Sequence, residues 1–425
     1  MTEKAPMNST GYFLRPLSPL VFRSGRPFGQ ADAHGGGVGY DFPLPPTVAG
    51  ALRGAWVDAL AHRLTANDQT MLDLEVHGAL RARRAHSAMG EAGPIHLFAP
   101  RPADAEYLAL DRRGGWDLQP LAPATAAMGG CDLPNQLTPV MSDSLAPPVD
   151  GPRDWNLNAL AQWMACQLGN LTSGQALGAL RHAKRTHVAV DAGKLTSIEG
   201  ALFQSAGLDF DGAAAEEGVV AWLRSRRFGL DTSVLAGRHA RLGADGRCAA
   251  LQALGPQALI APVQCPAPLA DALDGLQAGD RFRLLLLTPA CYLRNGWYPD
   301  GLRADTERAR IEGCLTILQP PRLSKAAPAS AECESARAKP WRLRLVAAAL
   351  GPWQPLAASK LRQVDGALGF TRRPLRRLAP AGTVYWLEIL ERGCTPLSRA
   401  WMQSTCRTEY ARDGLGLALP GLCTE

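Results

Sequence analysis

The 425-residue sequence has no long apolar run: none reaches the roughly 18 consecutive apolar residues that a membrane helix requires. Its opening, MTEKAPMNSTG, has no apolar core of the kind a secretory leader carries. No membrane contact and a cytoplasmic location are therefore expected. Ten cysteines are scattered without a single C-x-x-C pair or a neighbouring histidine cluster, which predicts no zinc site and thiols that stay reduced. No P-loop is present. The nearest stretch, VAVDAGKLTS, has Val188 where the first glycine belongs, and Leu195 follows Lys194. G-x-S-x-G and H-E-x-x-H are absent, and no close carboxylate pair lies beside a histidine. Nothing here calls for a cofactor, a metal or a catalytic triad.

What is present is globular. Hydrophobic residues make up 46% and charged residues 20%, enough apolar side chain for large cores. At about 150 residues per domain, this length predicts two or three domains. The net charge of +6 is a mild basic bias, compatible with a polyanionic partner. Gly (43) and Pro (33) are abundant, so many turns are expected.

Along the chain, Tyr12 to Phe22 reads as a first strand. Val48, Leu52, Trp56, Leu60 and Leu64 recur every four residues and predict a helix over 47–64, with Thr47 as its N-cap after Pro45-Pro46. Residues 100–175 are rich in Pro, Gly and Ala and read as insertions and loops, with one helix over 157–168. RARRAH (81–86) reads as a solvated helix face. RFRLLLLTPACYL (281–293) reads as a buried strand. WRLRLVAAA (341–349) alternates Trp341, Leu343 and Leu345 against Arg342 and Arg344, the period of a half-exposed strand. TVYWLEIL (383–390) is another strand, and 320–340 is low-complexity linker. Short strands with few helices in both halves predict an α+β fold with two sheets. The expected division is 1–275 and 276–425.

Basic residues cluster locally. Arg372, Arg373, Arg376 and Arg377 stand in one stretch, GFTRRPLRRLAPAG, expected as a loop between two strands. Such a loop repels itself unless an anion lies across it, and the guanidinium fork suits phosphate. RSGRPF repeats the pattern near the start. Arg23 and Arg26 suit phosphate, and Phe28 either stacks on a base or plugs the core. His34 precedes the glycines of HGGGVG, among them Gly36, which make a loop able to close on a ligand. Arg53 on the predicted helix, and Arg185 and His187 in RTHVAVDAG, extend the candidate set. Arg241 and Arg247 flank the glycines of RLGADGR, a turn able to present backbone N–H groups to phosphate. His34 or His187 could alternatively act as the base of an RNA-cleaving site.

Six stretches stand in the order expected of one family: PLSPLVFRSGRPF, FPLPPTVAGALRGA, RTHVAVDAGKLTSIEGALFQ, RLGADGR, LLLTPACYLRNGWYPDGL and FTRRPLRRLAPAGTVYWLEI. Together they resemble the RAMP-superfamily subunit of the type III-B CRISPR Cmr effector complex that holds the 5′ end of the guide RNA. The resemblance spans nearly the whole chain. In the family the turn reads closer to LGGEGR, so Ala244 and Asp245 are departures. The resemblance implies two ferredoxin-like (RRM-like) domains with long loop insertions, binding of the repeat-derived 5′ tag of crRNA, and no nuclease activity. It also implies docking to the large polymerase/cyclase-type subunit and to the backbone RAMP subunits. A metal-independent RAMP endoribonuclease, the equivalent subunit of another CRISPR subtype, and a scaffold without RNA contact are the rival expectations.

Overall fold

The computed structural model describes residues 9–23, 39–60, 73–86, 92–109, 116–124, 131–191, 193–212, 215–225, 231–255, 259–260, 263–305, 307–319, 339–357, 359–364, 367–372 and 374–423. Arg26, Phe28, His34, Gly36, Arg373 and the expected linker at 320–338 lie outside them. The fold is α+β, built mostly of antiparallel sheet with few helices.

Among the described residues the larger sheet has ten strands. At its centre Ser9–Pro16 pairs with Cys248–Ala253 on one side and Ala215–Ser225 on the other, and Ala215–Ser225 pairs with Leu74–His86. Numbered along the chain, these four run in the spatial order 4-1-3-2. Side-chain alternation explains why both faces are covered. Tyr12 and Leu14 point into one core with Val48, Leu52 and Trp56 of the helix Pro45–Leu60. Phe13, between them, points into a second core shared with the other sheet.

Among the described residues that second sheet has seven strands, from residues 281–286 and 302–422. Its central members are Arg281–Leu286, Arg342–Ala349, Val384–Glu391 and Leu417–Leu422, and these too lie in the order 4-1-3-2. The alternation in Arg342–Ala349 is as expected: Trp341, Leu343 and Leu345 are buried, and Arg342 is exposed between Glu312 and Glu391. The helix Ala267–Gly275 buries Leu269 and Leu273 and packs on Leu417–Leu422 and on the 3-10 turn Leu397–Ala400.

Several local readings are corrected. The first helix begins at Pro45, not Thr47. A first-turn proline gives up no intrahelical bond, and Leu44 O accepts from the N–H groups of Thr47 and Val48. The helix in the middle region is Leu157–Met164, capped by Asn156 Oδ1, which accepts from Ala159 N at 2.8 Å. RARRAH is not a helix face: it ends the strand Leu74–His86. Arg81 and Arg84 are buried there because Glu217, Asp154 and Glu216 neutralise them across the sheet. Burial raises the Asp154 carboxyl above its ordinary value, and Arg81 beside it opposes the rise. GFTRRPLRR is not one loop either. It divides between Ala367–Arg372, paired with Ser359–Val364, and Arg376–Leu378, paired with Gln354–Leu356.

Candidate nucleic-acid interface

After Ser9–Pro16 the chain runs beside the turn at 241–247. Leu17 N donates to Cys248 O at 3.0 Å, and Ala244 N donates to Val21 O at 2.8 Å. Gly243 makes that approach possible. Its φ is +93°, and a Cβ would stand 2.9 Å from Val21 O. At Arg23 the chain leaves, and it returns at Gly39 as Arg23's bridge partner, with Tyr40 N donating to Phe22 O. Arg23 and Gly39 thus stand side by side at one point.

That point is the rim of a cavity of about 430 Å³. One wall is Val21 to Arg23 with Arg241, Gly243 and Ala244. The floor is the exposed side of the helix Pro45–Leu60, from Thr47 through Gly50 and Gly54 to Asp58. The opposite wall, Leu356 and Ala357, comes from the other half of the chain, and Tyr40 Oη donates to Pro355 O beside it. Leu356 and Pro355 pair in register with Arg376 and Arg377. Both arginines are exposed, and the Arg377 guanidinium lies 5.0 Å from the ring centroid of Trp353, itself 47% exposed.

The fold therefore gathers Arg23 and Arg241 on one wall and sets Arg376 and Arg377 behind the other. Arg23 is 65% exposed and meets Asp245 at 3.4 Å, a long surface pair worth roughly 0–1 kcal/mol that leaves the guanidinium available to a phosphate. Arg247 is half-buried and donates to Ser18 Oγ at 3.2 Å. The turn's amides are committed more than the sequence suggested: Leu242 N donates to Arg247 O, Arg247 N to Ala244 O, and Ala244 N to Val21 O. The turn's charged contribution to the cleft is the Arg241 side chain, beside Gly243 and Ala244 in the wall.

Other candidates lie elsewhere. Arg53 is not a cleft residue. It donates to Asp413 at 2.6 Å and to the carbonyls of Leu74 and Arg412, clasping the helix to a strand and to the C-terminal region. Arg185 and His187 sit on a two-stranded ribbon, Arg181–Val190 with Ser197–Asp209. Arg185 is exposed, and His187 lies within the strand Arg181–Val190, with Nε2 2.7 Å from Ser205 Oγ. The ribbon is rooted by paired bonds between Leu20 and Leu208, one residue before the cleft wall begins, and exposes Val188, Val190 and Leu195 farther out. Arg372 ends the strand Ala367–Arg372. Among the described residues no group of three or more His, Cys, Asp or Glu side chains is arranged to hold a metal, and no helix is long and apolar enough to cross a membrane.

Sequence reasoning missed Gly50, Gly54, Asp58 and Trp353. The glycines carried a signal: two of them, four apart, stand on one face of an otherwise strong helix pattern. A Cβ at either meets nothing within 4 Å, so neither is needed for packing among the described residues. Replacing both with alanine is expected to stabilise the protein by about 1–2 kcal/mol, because each exposed helical Gly→Ala gains roughly 0.5–1 kcal/mol. Thermal denaturation checks this. A lower midpoint would mean that the fold itself requires them.

The family model described as CRISPR-associated protein (Cas_Cmr3) matches residues 12–423. No curated protein matches the chain. Among solved structures, a chain of the type III-B Cmr-beta complex bound to cognate target RNA and AMPPnP is similar at 13% identity, over 88% of this chain and 86% of that one, with a TM-score of 0.39. A chain of Cmr-beta bound to cognate target RNA is similar at 12% identity over the same shares, with a TM-score of 0.38.

Proposed function

The chain belongs to the Cas_Cmr3 family of CRISPR-associated proteins; from that premise we propose that it is the non-catalytic subunit of a type III-B Cmr effector complex that caps the 5′ repeat-derived tag of crRNA. The observation that carries this reading is the cleft itself. Two guanidinium groups, a glycine-lined helix and a strand from the other half of the chain converge on one cavity. A duplex would bury its base faces in stacking and its Watson–Crick edges in pairing. A single strand entering such a groove can lay phosphates on Arg23 and Arg241 and leave its bases splayed for contact. Arg376 and Arg377, behind the far wall, extend the cationic track.

The reading includes two ferredoxin-like halves, 1–275 and 276–425. The 4-1-3-2 strand order in each sheet supports it. Docking to the large polymerase/cyclase-type subunit and to the backbone RAMP subunits follows from family membership. The rival nuclease reading finds no support at His187, which is engaged with Ser205 and does not line the cleft.

Photo-crosslinking tests the placement. With 4-thiouridine introduced singly into the tag of a crRNA in the assembled complex, adducts are expected in peptides covering 18–23, 239–247 or 353–357. Adducts on this chain that arise from the guide portion alone would overturn it.

A further inference from the structure

We propose that the cleft selects one guanine of the bound strand through the Asp58 carboxylate; this rests on the reading of the cleft as a single-strand RNA site and names what it recognises there. Asp58 follows Gly50 and Gly54 at intervals of four residues, so all three lie along one face of the helix and line the same cavity. Among the described residues nothing stands within 4 Å of a Cβ built at either glycine, so the floor there is flat. A planar ring can rest on such a floor in van der Waals contact with helix backbone. The volume, about 430 Å³, falls in the range of small-ligand sites, roughly 300–1,000 Å³.

Charge then sorts the strand. Among the described residues Asp58 forms no ion pair, and Arg23 across the cavity meets Asp245 instead. A carboxylate in the floor repels phosphate, so the part of the nucleotide that reaches it is the base and not the backbone. An ionised carboxylate only accepts hydrogen bonds. Guanine presents N1–H and a 2-amino N–H side by side on its Watson–Crick edge, two parallel donors that match two carboxylate oxygens. Adenine and cytosine present one amino donor beside a ring-nitrogen acceptor. Uracil presents one N–H between two carbonyls, both of which repel Asp58. Guanine is the base this floor favours.

The test uses the full chain and tag RNAs in which each guanine in turn is replaced by inosine, which lacks only the 2-amino group. Binding is read by fluorescence anisotropy. For the natural protein, one replacement is expected to weaken binding roughly ten-fold, the scale of one hydrogen bond to a charged group, and in Asp58→Asn that ratio should fall to about two-fold or less. Asp58 is exposed, so the variant tests recognition without a folding defect. If the tag binds but no single guanine matters, or if the ratio persists in Asp58→Asn, the guanine assignment is wrong while the cleft reading stands. If the tag does not bind, or binds without regard to Arg23 and Arg241, the cleft reading fails and takes this inference with it.

Discussion

Replacing Arg23, Arg241, Arg376 and Arg377 together with alanine is expected to weaken crRNA binding on the order of 100-fold and to flatten its salt dependence. Each phosphate contact to single-stranded nucleic acid contributes about 0.7 to the slope of log affinity against log salt, so losing four contacts lowers the slope by up to roughly 3. The change in slope is the informative part, because a general loss of fold would abolish binding without altering how the remainder responds to salt. The fold should tolerate the change. All four side chains are exposed, and surface substitutions of this kind stay mostly within about 0.5 kcal/mol each. Arg23 gives up only its long pair with Asp245. Titrations at several salt concentrations, with circular dichroism as a control, decide the matter. An unchanged slope would mean that phosphates lie elsewhere.

The second large effect is on stability. Arg283 is 3% exposed and Asp104 is fully buried, with 2.6 Å between them. Asp104 also accepts from Trp163 Nε1 at 2.8 Å, and Arg283 donates to Trp163 O and Leu422 O. This cluster ties the helix Leu157–Met164 to the strands Arg281–Leu286 and Leu417–Leu422. Burial works against the Arg283 charge, yet Asp104 holds its pKa above the ordinary value. Arg283→Met leaves a carboxylate buried and unpaired, which costs about 3–5 kcal/mol. Asp104→Leu strands the guanidinium and costs a similar amount. The double variant Asp104→Leu/Arg283→Met should lose less than the sum of the two, since no uncompensated charge remains. Urea unfolding of the three variants measures this. Additive losses would show that the two groups do not depend on each other.

The legibility of this molecule follows the range of its interactions. The first helix was readable because its stripe is local: Val48, Leu52 and Trp56 are buried as the four-residue spacing demands. The strand Arg342–Ala349 was readable for the same reason. Arg241 was readable as a candidate because Gly243 and Gly246 beside it mark a tight turn, and Arg23 because RSGRPF sets two arginines beside an aromatic. What the sequence hid were long-range pairings. Arg81 and Arg84 look like surface charge until Ala215–Ser225 brings Glu216 and Glu217 alongside. Arg53 looks like any phosphate-binding arginine, and its real partner Asp413 is 360 residues away. Asp58 had no local signature at all. Its role depends on which walls the fold places around it.

The central claim is capping of the 5′ tag, and the most direct measurement compares the affinity of this chain for a crRNA with its own tag and for one with the tag scrambled, across a range of salt. Preference for the natural tag that persists as salt rises is the result this account predicts, because phosphate contacts fade with salt while base contacts keep discriminating. Equal affinity for the two RNAs at every salt concentration would contradict it.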